Sequence, residues 1–448
     1  MRQLWIGCAF LLAAGCAAGP GETTTEESLL ADGTELQERA GNGGGPPQNN
    51  NGGGGRGPNG GGDSTTPNEI PLPVVVAESP AEQEVRRLLR LPDHLPTPII
   101  PEGNPLSSAK IELGRHLFYD HRLSVNQRQA CSSCHQQEFG FADNRVLPRG
   151  TTGETIRRNS QGLSNVAFYP TLTWSHNDLL DLEHQLLIPL TGDDPIELGL
   201  TPENESEILE RLQADSEYPA WFTQAFPEET STITVDQITR ALASFTRFLV
   251  SGDSPFDRFQ RGDTTALTAQ QQEGMRLFNG QRFGCAQCHG GINQTISHQD
   301  TRAPMAREDF PFFNIGLYNL DGEGSYPAND QGIFDLTGDP GDRGLFRPPS
   351  LRNVAVSPPY MHDGSLPNLR AVLRHYRNGG TVINEGPNAG DGRQSPLKSE
   401  LIRPFRANQQ ETDAVIAFLE GLTDPTFLSD PAFANPWPEN HPAQGIQR

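Results

Sequence analysis

Two five-residue runs constrain this chain more than any other feature. Cys131-Ser132-Ser133-Cys134-His135 returns as Cys285-Ala286-Gln287-Cys288-His289. Cys-x-x-Cys-His is the attachment signature of c-type haem. Two thiols form thioethers to the porphyrin, and the adjacent histidine is held against the iron as an axial ligand. One such run also fits a zinc or redox Cys-x-x-Cys site, but two copies in one chain point to two covalently bound haem c groups. The remaining cysteines, Cys8 and Cys16, lie near the N-terminus. None is therefore left for a disulfide framework.

The formal charge of −22 argues against nucleic acid as a partner, since neutralising phosphates needs clustered Lys and Arg. Lys occurs only at Lys110 and Lys398. Any electrostatic steering would favour basic partners; the plainer account is a solvated acidic surface.

Met1 to Gly15 reads as an export signal, with Arg2 ahead of an apolar run from Leu4 to Ala14 that is too short to span a bilayer. Ala13-Ala14-Gly15-Cys16 resembles a lipoprotein box; ordinary cleavage near Ala17-Ala18 is the alternative. The expected location is the periplasm, with a lipid on Cys16 as the sole membrane tether, to the outer membrane. Residues 17–79 read as a linker. Gly41 to Gly62 is nearly all Gly, Asn and Pro and cannot bury enough surface to order itself.

Helical spacing begins at Ala81 to Leu91. Two halves then repeat one plan. Ala109 to Tyr119 precedes the first motif and Gln270 to Phe278 the second, each carrying a Gly ahead of a Leu-Phe pair: Gly114 with Leu117-Phe118, and Gly274 with Leu277-Phe278. Each half closes on a helix, expected over Val235 to Val250 and Glu411 to Leu422. The glycines would let paired helices approach closely. Ser251 to Asp263 reads as the boundary, giving haem domains over 80–255 and 256–425 and a C-terminal tail over 426–448. No alternating apolar run long enough for a sheet appears. The expected fold is mainly α: two cytochrome c-like haem domains in tandem with long irregular loops.

The sixth ligand decides what a haem does: two strong protein ligands favour electron transfer, while an open position can bind peroxide. Gln136 to Asn165, after the first motif, holds neither His nor Met, which argues for an open first haem. His176 and His184 are the histidines that could still close it.

From about Pro105 to Asp424 the chain resembles the bacterial di-haem cytochrome c peroxidases, and within them the MauG-like branch. The matching phrases are ELGRHLFYDHRLSVNQRQACSSCH, RRNSQGLSN, GCAQCHGG, FFNIGLYN and RPPSLRNVAVSPPYMHDGSLPNL. Better-known members carry a distal His where this chain has Thr151, and a Met on the second haem where it has Tyr376. MauG-like members use Tyr there, and a phenolate favours high oxidation states of iron. Met275, Met305, Met361, His362 and His375 are the other candidates, with His375 the main rival. The resemblance makes Trp174 an electron relay between the haems, although the family's Trp-Asp-Gly-Arg run is here Trp174-Ser175-His176-Asn177. It also makes Gln185 and Glu197 distal residues, Glu197 as the acid–base group for peroxide. Their spacing is two residues longer than usual, and LEHQLLIPLTGDDPIELG resembles the MbnH-like side of the branch, whose members act on a Trp of a small secreted partner. A calcium ion is implied between the haems, on the Asn159 side chain and the carbonyls of Ser357 and Pro359.

The implied activity is oxidation of a partner protein with hydrogen peroxide through a high-valent haem state. The alternatives are a cytochrome c peroxidase fed by a small cytochrome or copper protein, and a non-enzymatic electron carrier.

Overall fold

The computed structural model describes residues 78–445. The leader, Cys16 and the linker up to residue 77 lie outside the described residues. The described chain is mostly helical: α1 (Pro80–Leu88), α2 (Ser108–Phe118), α3 (Leu182–Thr191), α4 (Glu205–Gln213), α5 (Tyr218–Ala225), α6 (Val235–Phe248), α7 (Pro255–Gln260), α8 (Ala269–Asn279), α9 (Ala286–His289), α10 (Phe334–Thr337), α11 (Leu369–Asn378) and α12 (Gln409–Glu420). Among the described residues the only sheet is a two-residue antiparallel pair, Val382–Ile383 against Gly390–Asp391. Local chemistry sets the helix starts. Thr234 with Gln237, Thr268 with Gln271, and Asn408 with Glu411 form reciprocal caps at α6, α8 and α12, each satisfying amides that a helix start leaves unpaired.

Two helix pairs organise the rest, and they repeat each other closely. A Cβ added to Gly114 on α2 would lie 2.0 Å from the Ala241 carbonyl oxygen of α6; one added to Gly274 on α8 would lie 1.9 Å from that of Ala414 on α12. In each pair the glycine also meets the Phe one turn further along, Phe245 or Phe418. The Leu-Phe partners follow suit: Phe118 sits 5.2 Å from Phe245, and Phe278 5.2 Å from Phe418, between ring centroids. We expect Gly114→Ala and Gly274→Ala each to cost about 1–3 kcal/mol, since the backbones must separate to admit a methyl. Gly103→Ala, where nothing lies within 4 Å, is the control; chemical denaturation of the three variants checks this.

A second echo was not visible in the hydrophobic pattern. Asn165 and Asn353, each in a Leu-x-Asn-Val-Ala run, both take left-handed backbone at φ 60° and 59°. Each donates its amide to the end of a closing helix, Asn165 to the Leu249 carbonyl and Asn353 to the Leu422 carbonyl. The side chains then accept from Ser251 N and Asp424 N. Asn tolerates this conformation better than most residues because its short amide bonds locally.

One apolar core surrounds α2, α3 and α6, and another surrounds α8 and α12. The segment read as a C-terminal tail belongs to the first: Phe427, Phe433, Trp437 and Ala443 are buried there. The Tyr119 hydroxyl donates to the Phe433 carbonyl at 2.7 Å, and Trp437 Nε1 to the His116 carbonyl at 2.9 Å. The stretch from Ser251 is held as well: the Asp424 carboxylate accepts from the Ser251 hydroxyl and the amides of Gly252 and Asp253. Among the described residues no helix is long and apolar enough to cross a membrane.

Candidate active site

Both motifs turn the chain in the same way. The Cys134 and His135 amides donate to the Cys131 carbonyl at 3.2 and 3.0 Å; those of Cys288 and His289 donate to the Cys285 carbonyl at 3.2 and 2.9 Å. None of the four cysteines is paired in a disulfide. Each imidazole is fixed through one nitrogen: His135 Nδ1 is 2.7 Å from the Phe141 carbonyl and His289 Nδ1 3.1 Å from the Pro349 carbonyl. A carbonyl only accepts, so Nδ1 carries the proton and Nε2 keeps its lone pair. Burial pushes His289 down to about 4 and lowers His135 too, holding both in the neutral form that binds metals.

The second motif opens on a cavity whose wall includes Cys285, Cys288, His289, Phe283, Leu373 and Tyr376. Tyr376 is delivered by α11, which Asn368 caps at its start and Gly379, at φ 73°, ends. Its phenol is raised above the usual range by burial, then by the nearby sulfurs of Cys288 and Cys285. His375 turns elsewhere: it is buried, with Nδ1 2.7 Å from Thr381 Oγ1, and is not part of the wall. Met275 packs on the α8–α12 core and Met305 lies outside the cavity. Met361 and His362 reach the wall, but the His362 ring is stacked 3.8 Å from Phe346. An apolar cavity faced by two thiols, a neutral imidazole and a phenol fits a haem c. Cys285 and Cys288 would attach it, and His289 with Tyr376 would flank its iron.

At the first motif the residue brought in is Glu197. It feels neither a partner cation nor a hydrogen bond; burial alone pushes its carboxyl up to about 7. Its charge in turn raises the Cys131 and Cys134 thiols, behind burial in both cases, so it lies close to the attachment cysteines. Thr151 stands beside it, donating its amide to the Glu197 carbonyl at 2.9 Å. The neighbouring Gly150 is required there, because a Cβ would meet the Ile196 carbonyl oxygen at 1.7 Å. Gln185 is half-buried on α3; its backbone amide donates to the Asp181 carbonyl at 3.2 Å, and its side-chain amide makes no hydrogen bond among the described residues. His184 is mostly in solvent, paired with Asp181 at 2.7 Å. His176 accepts from the Asp178 amide at 3.1 Å, and its charged neighbours are Asp178, Arg158 and Arg307 rather than those of the first motif.

Trp174 lines the second cavity, its Nε1 donating to the Asn159 carbonyl at 2.8 Å. Asn159, Ser357 and Pro359 reach the same wall. The Asn159 amide nitrogen is used on the carbonyls of Arg145 and Val146, at 2.7 and 3.2 Å, which leaves Oδ1 free to accept.

A family model described as di-haem cytochrome c peroxidase matches residues 108–265. The chain is 34% identical over 355 residues to a cytochrome-c peroxidase of Pseudomonas sp. (strain SCT), covering 75% of this chain and 87% of that one. It is 33% identical over 335 residues to the methylamine utilization protein MauG of Methylorubrum extorquens, covering 74% and 82%. This chain belongs to the di-haem cytochrome c peroxidase/MauG family. Among solved structures, this di-haem peroxidase is similar to a MauG-like protein associated with microbial copper homeostasis, at 44% identity and a TM-score of 0.75, covering 78% of this chain and 99% of that one. The family makes the protein a peroxidase, an oxidoreductase, with two haem c groups.

Asp143 was missed in the sequence. It is 3% exposed, its carboxyl raised by burial, and it is one of the charges felt by His135. A carboxylate near a ligating histidine raises the ring's basicity. The only sequence signal was an Asp eight residues past the motif histidine, inside a run with no periodicity.

Proposed function

We propose that this di-haem peroxidase uses hydrogen peroxide to oxidise a partner protein, in the manner of the MauG-like and MbnH-like branch. The observation that carries the reading is Tyr376, the phenol sharing the second cavity with His289 where His375 does not reach. The haems, when bound, supply one iron that accepts peroxide and a second that holds charge. Around them the chain's residues have separate tasks. His135 and His289 would bind through Nε2, and Tyr376 would offer its phenol oxygen, which burial keeps protonated until a bound metal displaces the proton. Glu197 takes a proton from peroxide and returns it to the leaving oxygen. Trp174, fixed on Asn159, links the two centres. Two cytochrome c-like domains, over 80–255 and 256–425, would carry one haem each, with a calcium ion on Asn159, Ser357 and Pro359 between them. Export to the periplasm and a lipid on Cys16 complete the proposal. A partner protein as substrate suits a similar protein whose description associates it with copper homeostasis.

Relatives named cytochrome-c peroxidase favour a second reading, in which a small redox protein supplies electrons and peroxide is simply removed. Rapid mixing separates the two. The di-ferric protein should react with peroxide at once, giving an oxidised spectrum with no reductant added. A reaction that starts only after one-electron reduction would overturn the protein-oxidising reading in favour of the second.

A further inference from the structure

Four arginines are buried among the described residues, and three have a carboxylate. Arg122 is paired with Asp120 and Asp215, Arg247 with Glu183, and Arg352 with Asp257. Arg347, 1% exposed, has none. Its Nε donates to the Thr173 carbonyl and its Nη2 to Gln161 Oε1, both at 3.0 Å. The guanidinium carbon lies 3.9 Å from the centre of the Tyr169 ring. Nη1 is buried without a partner, and so is Nε2 of the same Gln161.

Two orphaned donors on hydrogen-bonded neighbours call for an acceptor. A guanidinium sealed from water without a counter-charge is strongly disfavoured, and its planar fork matches a carboxylate. Both residues line the cavity that holds Cys285, Cys288 and His289. Haem c brings two propionate carboxylates and leaves no other anionic group free. We propose that Arg347 Nη1 and Gln161 Nε2 clasp a propionate of the haem on the second motif. The clasp would sit between the two centres: the Gln161 carbonyl is within reach of the His135 ring, and the Arg347 amide donates to the Trp174 carbonyl at 2.8 Å. The inference rests on haem at the second motif and not on the choice of substrate. Arg347 is a positioning residue.

The test uses the di-haem holoprotein with Arg347→Gln, Arg347→Lys and Gln161→Ala, following each haem's midpoint potential and the propionate-bending mode in resonance Raman spectra. In Arg347→Gln the second haem's midpoint should fall, because losing a nearby cation favours the ferric state, while the first haem's midpoint holds. Its propionate mode should shift. Arg347→Lys should restore most of the midpoint, and Gln161→Ala should move the Raman mode with little effect on potential. An unchanged second-haem midpoint and propionate mode in Arg347→Gln, or a shift confined to the first haem, would overturn the assignment.

Discussion

Replacing Glu197 by Gln should slow the reaction of the ferric protein with peroxide by about 10²- to 10⁴-fold, the range a positioned proton-transfer group supplies. The carboxyl is placed for the task by what surrounds it. Burial, with no compensating cation, lifts it to about 7, so near neutrality it can both take and return a proton. The sign of the pH dependence follows. Below its pKa the group is protonated and cannot accept the peroxide proton; above it the carboxylate can. Stopped-flow rates should therefore rise about tenfold per pH unit on the acid side of about pH 7 and level off above it. Glu197→Gln should be slow and flat. A variant that kept the wild-type profile would mean the proton is handled elsewhere.

The second large effect is on stability. Arg352→Ala should cost about 3–5 kcal/mol, because it strands a buried carboxylate. Arg352 and Asp257 side chains are each 2% exposed and share two bonds, Nη1 to Oδ2 at 2.8 Å and Nη2 to Oδ1 at 2.9 Å. Burial alone would raise Asp257, but the guanidinium outweighs it and holds the carboxyl below its usual range. A depressed carboxyl stabilises the fold above its unfolded pKa, so the contribution is present at neutral pH and lost only in acid. Arg352 also reaches Asn293 Oδ1 and the Ile292 carbonyl, tying the segment after the second motif to the one carrying Pro349. Denaturant titration of Arg352→Ala, Asp257→Ala and the double variant checks this. The double should cost well under the sum, since it leaves no lone charge.

What could be read from the chain was local. The helices before each motif and at the end of each half begin and end within two residues of the positions their periodicity predicts, because caps and apolar spacing are short-range instructions. The glycines of α2 and α8 were legible for the same reason: each stands at a fixed offset from a Leu-Phe pair. The pinning of Asn165 and Asn353, the partnerless guanidinium of Arg347 and the burial of Asp143 were not, since each depends on contacts between residues far apart in the chain. Glu197 and Tyr376 came from resemblance, not from any pattern of spacing. The residues after Asp424 show the limit best. Their Phe and Trp are too scattered for any period, and only the assembled surface of α2 gives them a place.

That last placement has a consequence for how the molecule is made. Phe427, Phe433 and Trp437 follow both motifs in the chain yet complete the interior around the helix that precedes the first motif. Domains generally fold as units, the N-terminal one first, but here the core of the first half includes side chains that come after the second. A chain cut between the two halves would leave the first with an open aromatic face, where Phe427 meets Phe141 and Phe433 meets Phe248.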